Sequence, residues 1–181
     1  MGVYLQTLKT EVVYRGRVVS LLKNTVSLPT GQITIREKIT HPGSVGILPM
    51  LENGNLILVK QFRYVIGSYL LEIPAGTIEE GESPEECAAR ELLEETGYHA
   101  GKLNLITSFY LAPGYSDEFM WLFEATDLSC GEMKPMADES IEVKEVSLKE
   151  ALNLIKSGVI KDAKTICAIL LSTASKQSDV R

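Results

Sequence analysis

Five residues between positions 82 and 95 have types and spacing that could do chemistry together: Glu82, Arg90, Glu91, Glu94 and Glu95. Glu95 follows Glu91 by four residues and Glu94 follows it by three, so on a helix the three carboxylates share one face. Like charges at that spacing destabilise an isolated helix by roughly a few tenths of a kcal/mol per pair. A divalent cation would neutralise them. Hard carboxylate oxygens suit Mg²⁺ or Mn²⁺, and Mg²⁺ is usually held by a few carboxylates together with substrate phosphates. The same spacing also describes a solvated acidic face. The lone Arg90 among the acids and the glycine-containing loop upstream set this stretch apart.

The element that must carry these groups is delimited by its own residues. Pro74, Gly76 and Gly81 break regular structure on the upstream side. Ser83 stands at an N-cap, Pro84 at the first helical position, and Glu86 completes a capping box. The residues from 84 to 96 all tolerate helix, and Gly97 is a natural stop. Ala88 and Leu92, with Ala89 and Leu93 on the flank, give the side away from the acids something to bury.

Residues 76–98 resemble the Nudix box. Its pattern is a glycine, five residues, a glutamate, seven residues, Arg-Glu, an aliphatic, any residue, Glu-Glu, any residue, a glycine and an aliphatic. Gly76, Glu82, Arg90, Glu91, Leu92, Glu94, Glu95 and Gly97 fall in register, and Tyr98 departs from the final aliphatic. That last position is one of packing, so the departure leaves the chemistry untouched. The resemblance implies an α/β/α sandwich around a mixed sheet, covering about residues 42–172. It also implies metal-dependent hydrolysis of a nucleoside diphosphate compound. Mg²⁺ or Mn²⁺ would sit on Glu91 and Glu95 with Glu94 adjacent, Glu82 as an outer or accessory ligand, and a backbone carbonyl near Ala75 as a further ligand. Arg90 is expected to orient the carboxylates by bidentate hydrogen bonds rather than to touch substrate.

Hydrolysis also needs a base to activate water. In the ADP-ribose pyrophosphatases it lies on a late acidic loop. Residues 137–142 resemble that loop, which makes Glu139 the candidate; Glu95 is the alternative, and a solvated loop acid is the plain reading of Glu139. Substrate class rests on a second likeness. Pro113 lies sixteen positions after Gly97, within a stretch, 108–119, that resembles the same enzymes. Without the family, Pro113-Gly114 is only a turn. Gln61-Phe62-Arg63 resembles a strand that supplies an arginine to substrate, Arg36 could do likewise, and Glu118 could contact the sugar. An ordinary surface residue is the rival reading for each. The implied reaction is cleavage of ADP-ribose to AMP and ribose 5-phosphate. Its rivals are a broader nucleoside-diphosphate-sugar or dinucleotide pyrophosphatase and a non-catalytic ADP-ribose sensor. The intact acids and the lack of an added basic segment disfavour the sensor.

At 181 residues, with 45% hydrophobic and 23% charged residues, the chain has the composition of a globular protein with one full core. A formal net charge of −6 and a pI near 5.1 disfavour a nucleic-acid partner. Cys87, Cys130 and Cys167 are odd in number and widely spaced, indicating neither a disulfide framework nor a zinc site. The N-terminus lacks the apolar core of a signal peptide, and no apolar run reaches membrane-spanning length. The expectation is a cytoplasmic protein with no membrane partner.

The rest of the chain reads as strands and two further helices. Residues 1–41 form an N-terminal β segment, in which Ile33, Ile35 and Ile39 alternate with Thr34, Arg36 and Lys38. A sheet this small must pack on something. It is similar to the extra sheet that ADP-ribose pyrophosphatases exchange across a homodimer, where it helps build the substrate site. Residues 42–174 form the main domain and 175–181 a polar tail. Asn53-Gly54 predicts a hairpin. Ser147 with Glu150 opens one helix, and Asp162 opens another that runs to about residue 172.

Overall fold

Strand β4 (Ser44–Pro49) is buried at all six positions, as a run containing Val45, Ile47 and Leu48 requires when both its faces are covered. Helices α1 (Pro84–Thr96) and α3 (Ala163–Ser178) both pack against it. This computed structural model describes residues 4–133 and 140–178. They form two units: Met1–Gly43 with Phe109–Met120, and Ser44–Ser108 with Trp121–Arg181.

The larger unit holds two sheets. One has the order β10 (Ile141–Val146), β5 (Leu56–Arg63), β6 (Ser68–Glu72), with antiparallel registers such as Val143 opposite Val59 and Gln61 opposite Leu70. The other has the order β7 (Ala75–Thr77), β4, β9 (Phe119–Cys130), β8 (Tyr98–Tyr110). The last two residues of β8 and the first two of β9 belong to the smaller unit. The core gathers Val45, Ile47, Cys87, Ala88, Leu92, Phe123 and Ala125, with Tyr98 and Trp121 packed against them. Tyr98 thus fills a packing position. Helix α2 (Leu148–Lys156) is capped by Ser147, whose hydroxyl accepts from the Glu150 N–H at 3.2 Å, and it packs on α3. No helix among the described residues is long and apolar enough to cross a membrane.

The smaller unit contains the antiparallel sheet β1 (Gln6–Arg15), β2 (Ser20–Ser27), β3 (Ile33–Thr40), in that order. The 109–120 segment is tied to β3 by hydrogen bonds from Ile39 N–H to the Tyr115 carbonyl (2.8 Å) and from Asp117 N–H to the Ile39 carbonyl (3.1 Å). The α/β/α layering and the small N-terminal sheet agree with the expected class.

Three local expectations change. The Asn53-Gly54 turn forms, with Gly54 at φ +82°, but β4 and β5 part into different sheets after a single bridge, Met50 to Leu56. The reason is that β4 already pairs on both edges, with β7 and β9. On α1, Ala89 is exposed, while Glu91 and Glu95 are buried together with Cys87, Ala88 and Leu92, so the acidic side is an interior side too. Helix α3 continues to Ser178 instead of ending near residue 172.

Candidate active site

Helix α1 begins as its sequence dictates. Glu86 N–H donates to Ser83 Oγ (3.2 Å) and Ser83 N–H donates to Glu86 Oε2 (2.8 Å), completing the capping box ahead of Pro84. Gly97 closes the helix at φ +74°, a conformation that favours glycine. The acids are thereby fixed in register against strand β7.

Arg90 organises them. Its Nε donates to Glu82 Oε1 (2.8 Å) and its Nη2 to Glu82 Oε2 (2.9 Å), a two-pronged pairing. Nη1 donates to Glu91 Oε1 (2.7 Å) and to Glu94 Oε2 (3.3 Å), and Nη2 also reaches the Thr77 carbonyl (3.3 Å). The fork beside Glu82 holds that carboxyl at a pKa of about 2, assisted by the Glu79 N–H. The same acids push the Arg90 pKa above its ordinary value. Cys87, beneath this network, is driven up to about 12 by burial and by Glu82, so its thiol stays protonated and inert at neutral pH.

The strand side is equally determined. Glu95 is 3% exposed and its Oε2 accepts the Ala75 N–H at 3.0 Å. Glu91 is 8% exposed. A Cβ at Gly76 would sit 1.8 Å from Glu91 Oε1, so this position requires glycine for close approach.

Three carboxylates here share one guanidinium, and a fourth, the buried Glu95, lies one helical turn after the buried Glu91. Such an excess of interior negative charge is costly unless a cation shares the site. Among the described residues no three His, Cys, Asp or Glu side chains enclose an ion by themselves. By its chemistry alone, a set of carboxylates suits a small hard cation, which takes few of them and completes its shell with water and phosphate oxygens. Glu91 and Glu95, with Glu94 beside them, are the groups that could hold it. Glu82 has both oxygens committed to Arg90 and the Glu79 N–H.

Arg63 is placed apart from the Arg90 fork. Its Nε and Nη2 donate to Glu72 Oε1 and Oε2, both at 2.8 Å. Glu95 lies near enough to help raise the Arg63 pKa, after the larger effect of Glu72. Arg36 and Pro113 belong to the smaller unit, where they line one cavity of about 450 Å³ with Asn24, Tyr110, Tyr115 and Asp117. Arg36 Nη1 donates to the Ile35 carbonyl at 3.0 Å. Glu118 follows the same loop, its N–H donating to Ser116 Oγ (3.1 Å). Glu139 lies outside the described residues.

Sequence reasoning missed a buried polar group at the end of β6. Glu72 is 1% exposed and is shared by Arg63 and Lys164. Lys164 also pairs with Asp162 at 3.0 Å. Burial opposes ionisation of Glu72, and Arg63 and Lys164 overcome it, leaving its pKa below the usual range. The signal was available: an acid between Leu71 and Ile73 in an apolar strand must find a cation.

Comparison with known proteins agrees with this geometry. Residues 40–169 match the NUDIX domain. The chain is 46% identical over 166 residues to an ADP-ribose pyrophosphatase of Bacillus subtilis (strain 168), covering 91% of this chain and 90% of that one. It is 40% identical over 166 residues, with the same coverage, to a methanol dehydrogenase activator of Bacillus methanolicus. A crystal structure of an ADP compounds hydrolase superposes with a TM-score of 0.86 at 25% identity, covering 97% of this chain and 95% of that one. With its box residues in register and its helix, loop and sandwich in place, the chain belongs to the Nudix hydrolase family.

Proposed function

We propose that the protein hydrolyses the diphosphate of ADP-ribose to AMP and ribose 5-phosphate, using Mg²⁺ or Mn²⁺. The observation that carries this reading is the cluster of Glu82, Glu91 and Glu94 on Arg90, three carboxylates to one guanidinium, with the buried Glu95 one helical turn after Glu91. The ADP-ribose assignment is supported by the Bacillus subtilis relative and by the likeness to an ADP compounds hydrolase.

In this reading Glu91 and Glu95 hold the cation, Glu94 assists, and Ala75 offers its carbonyl. Such a cation supplies charge neutralisation on the diphosphate and a more acidic bound water. Arg90 keeps Glu82, Glu91 and Glu94 in one orientation, so that little reorganisation is needed when substrate arrives. Arg63, held by Glu72, is the arginine offered to phosphate. Arg36 is a second arginine offered to substrate, Pro113 marks the substrate loop, and Glu118 contacts the sugar. Glu139 is the base, with Glu95 as the alternative.

The same reading makes the protein a cytoplasmic homodimer with a small-molecule substrate and neither nucleic-acid nor membrane partner. Dimerisation is supported by the apolar side chains that the N-terminal sheet leaves exposed, among them Val12, Tyr14, Ile33 and Ile35. Residues 1–41 are assigned to dimerisation and substrate, 42–174 to the hydrolase domain and 175–181 to a tail.

The test is turnover of ADP-ribose, ADP-glucose, NADH, diadenosine polyphosphates and dGTP, with Mg²⁺ and with EDTA. A kcat/KM preference for ADP-ribose that EDTA abolishes is expected. Flat activity across the diphosphates would overturn the substrate assignment and leave the box. Failure with every metal would overturn catalysis.

A further inference from the structure

Four consecutive residues running from β6 to β7 are tied between them to β5, α3, β4 and α1. Glu72 is held by Arg63 and Lys164. Ile73 N–H donates to Thr165 Oγ1 at 2.9 Å. The Pro74 carbonyl accepts the Ile47 N–H at 2.9 Å. Ala75 N–H donates to Glu95 Oε2 at 3.0 Å. Thr165 is 0% exposed, and its hydroxyl donates in turn to Asp162 Oδ2 at 2.5 Å, so its one proton is committed and its lone pairs face Ile73. Pro74 fixes its own φ, which leaves the segment little freedom to absorb a shift at Ile73 before it reaches Ala75.

We propose that Thr165 and Lys164, at the start of α3, are positioning residues: by clamping Ile73 and Glu72 they set where the Ala75 N–H points, and so fix the orientation of the Glu95 carboxylate. The proposal rests on the assignment of Glu95 to the reaction. It gives α3, which contributes no residue to the Nudix box, a defined part in building the site. The physical warrant is that a buried carboxylate can rotate about its terminal torsion unless a donor holds one oxygen. The donor here is a backbone N–H whose own position depends on α3. Groups that orient a ligating side chain commonly matter nearly as much as the ligand itself.

The test compares Thr165→Val, Thr165→Ser and Lys164→Met in the full chain, after unfolding curves have shown each to be folded. In Thr165→Val the Ala75 amide proton should move upfield in an amide-resolved NMR spectrum, although the substitution lies two hydrogen bonds away. Binding of Mn²⁺ alone, read by its EPR signal, and kcat should each fall about 10–100-fold with KM little changed. Thr165→Ser should restore all three. A folded Thr165→Val whose Ala75 amide stays in place overturns the proposal, as does one that binds Mn²⁺ and turns over like the parent. If Thr165→Val does not fold, Lys164→Met carries the same test through Glu72, and an unmoved Ala75 amide there is equally decisive. The amide readout needs neither metal nor substrate. A parent protein that binds Mn²⁺ but leaves ADP-ribose intact therefore overturns only the substrate assignment.

Discussion

Replacing Gly76 with alanine should disable the site through a single contact. Gly76 is not among the glycines at positive φ, so alanine brings no backbone strain and the effect is steric. The added Cβ would lie 1.8 Å from Glu91 Oε1, 1.9 Å from its Cδ and 2.6 Å from its Cγ. Because Cγ is struck as well as the carboxylate, rotation of the terminal group cannot relieve the overlap and the whole side chain must swing away. It then loses its 2.7 Å bond from Arg90. Losing a charge-assisted hydrogen bond costs about 1.5–3 kcal/mol, and residual crowding adds about 1–3 kcal/mol where relaxation is incomplete. A destabilisation of about 2.5–6 kcal/mol is expected from denaturant unfolding. Turnover should suffer more, since a ligand displaced by about 1 Å can cost about 100-fold in rate. The deciding assay is a double-mutant cycle with Glu91→Ala, which removes all three struck atoms. In that background Gly76→Ala should be almost neutral for stability. If its cost were the same with and without Glu91, or if Gly76→Ala retained parental kcat, the reasoning would be wrong.

Three other outcomes are expected. Glu95→Gln should lower kcat by orders of magnitude with the fold intact, and near-normal turnover would remove Glu95 from the metal assignment. In EDTA, stability should fall as pH drops. The folded Glu82 pKa of about 2 lies below its ordinary 4.5, so its contribution is complete above about 4.5 and vanishes on descending towards 2. Arg90→Lys, which cannot reproduce the fork, should flatten that part of the acid-unfolding profile, and an unchanged profile would refute the cause given. Light scattering at micromolar concentration should report a homodimer; a monomer would remove the exchanged-sheet picture.

Much of the site was legible because its determinants are local. The Ser83–Glu86 box, Pro84 and Gly97 fix a helix without help from distant residues, and the helix fixes the spacing of Glu91, Glu94 and Glu95. Arg90 as an organiser of carboxylates could be read from its place among them, and the structure gives it those bonds. What the sequence hid depends on contacts across the chain. Strand β7 is only three residues long and exists because Ala75–Thr77 pairs with β4; its glycine and flanking proline look like loop. The burial of Glu91 and Glu95 follows from the strand laid over them, whereas their spacing suits a solvated face equally well. Thr165 and Lys164 meet Ile73 and Glu72 across 92 residues, and no periodicity connects the two segments. The parting of β4 from β5 was hidden for a related reason. An Asn-Gly turn specifies how the chain reverses, while the partners on either side decide which sheet each strand joins.

The junction at Gly97 also bears on how this chain can be lengthened. Helix α1 ends at Thr96 and β8 starts at Tyr98, so one residue makes the whole connection. Its carbonyl is bound by the Gly131 N–H at 2.7 Å, and a side chain there would press on Met133. A peptide tag or loop graft placed at this joint would rotate the acidic helix away from its strand. The Asn53-Gly54 turn, where a Cβ on Gly54 would meet nothing within 4 Å, is the place where inserted sequence can leave the acids in register.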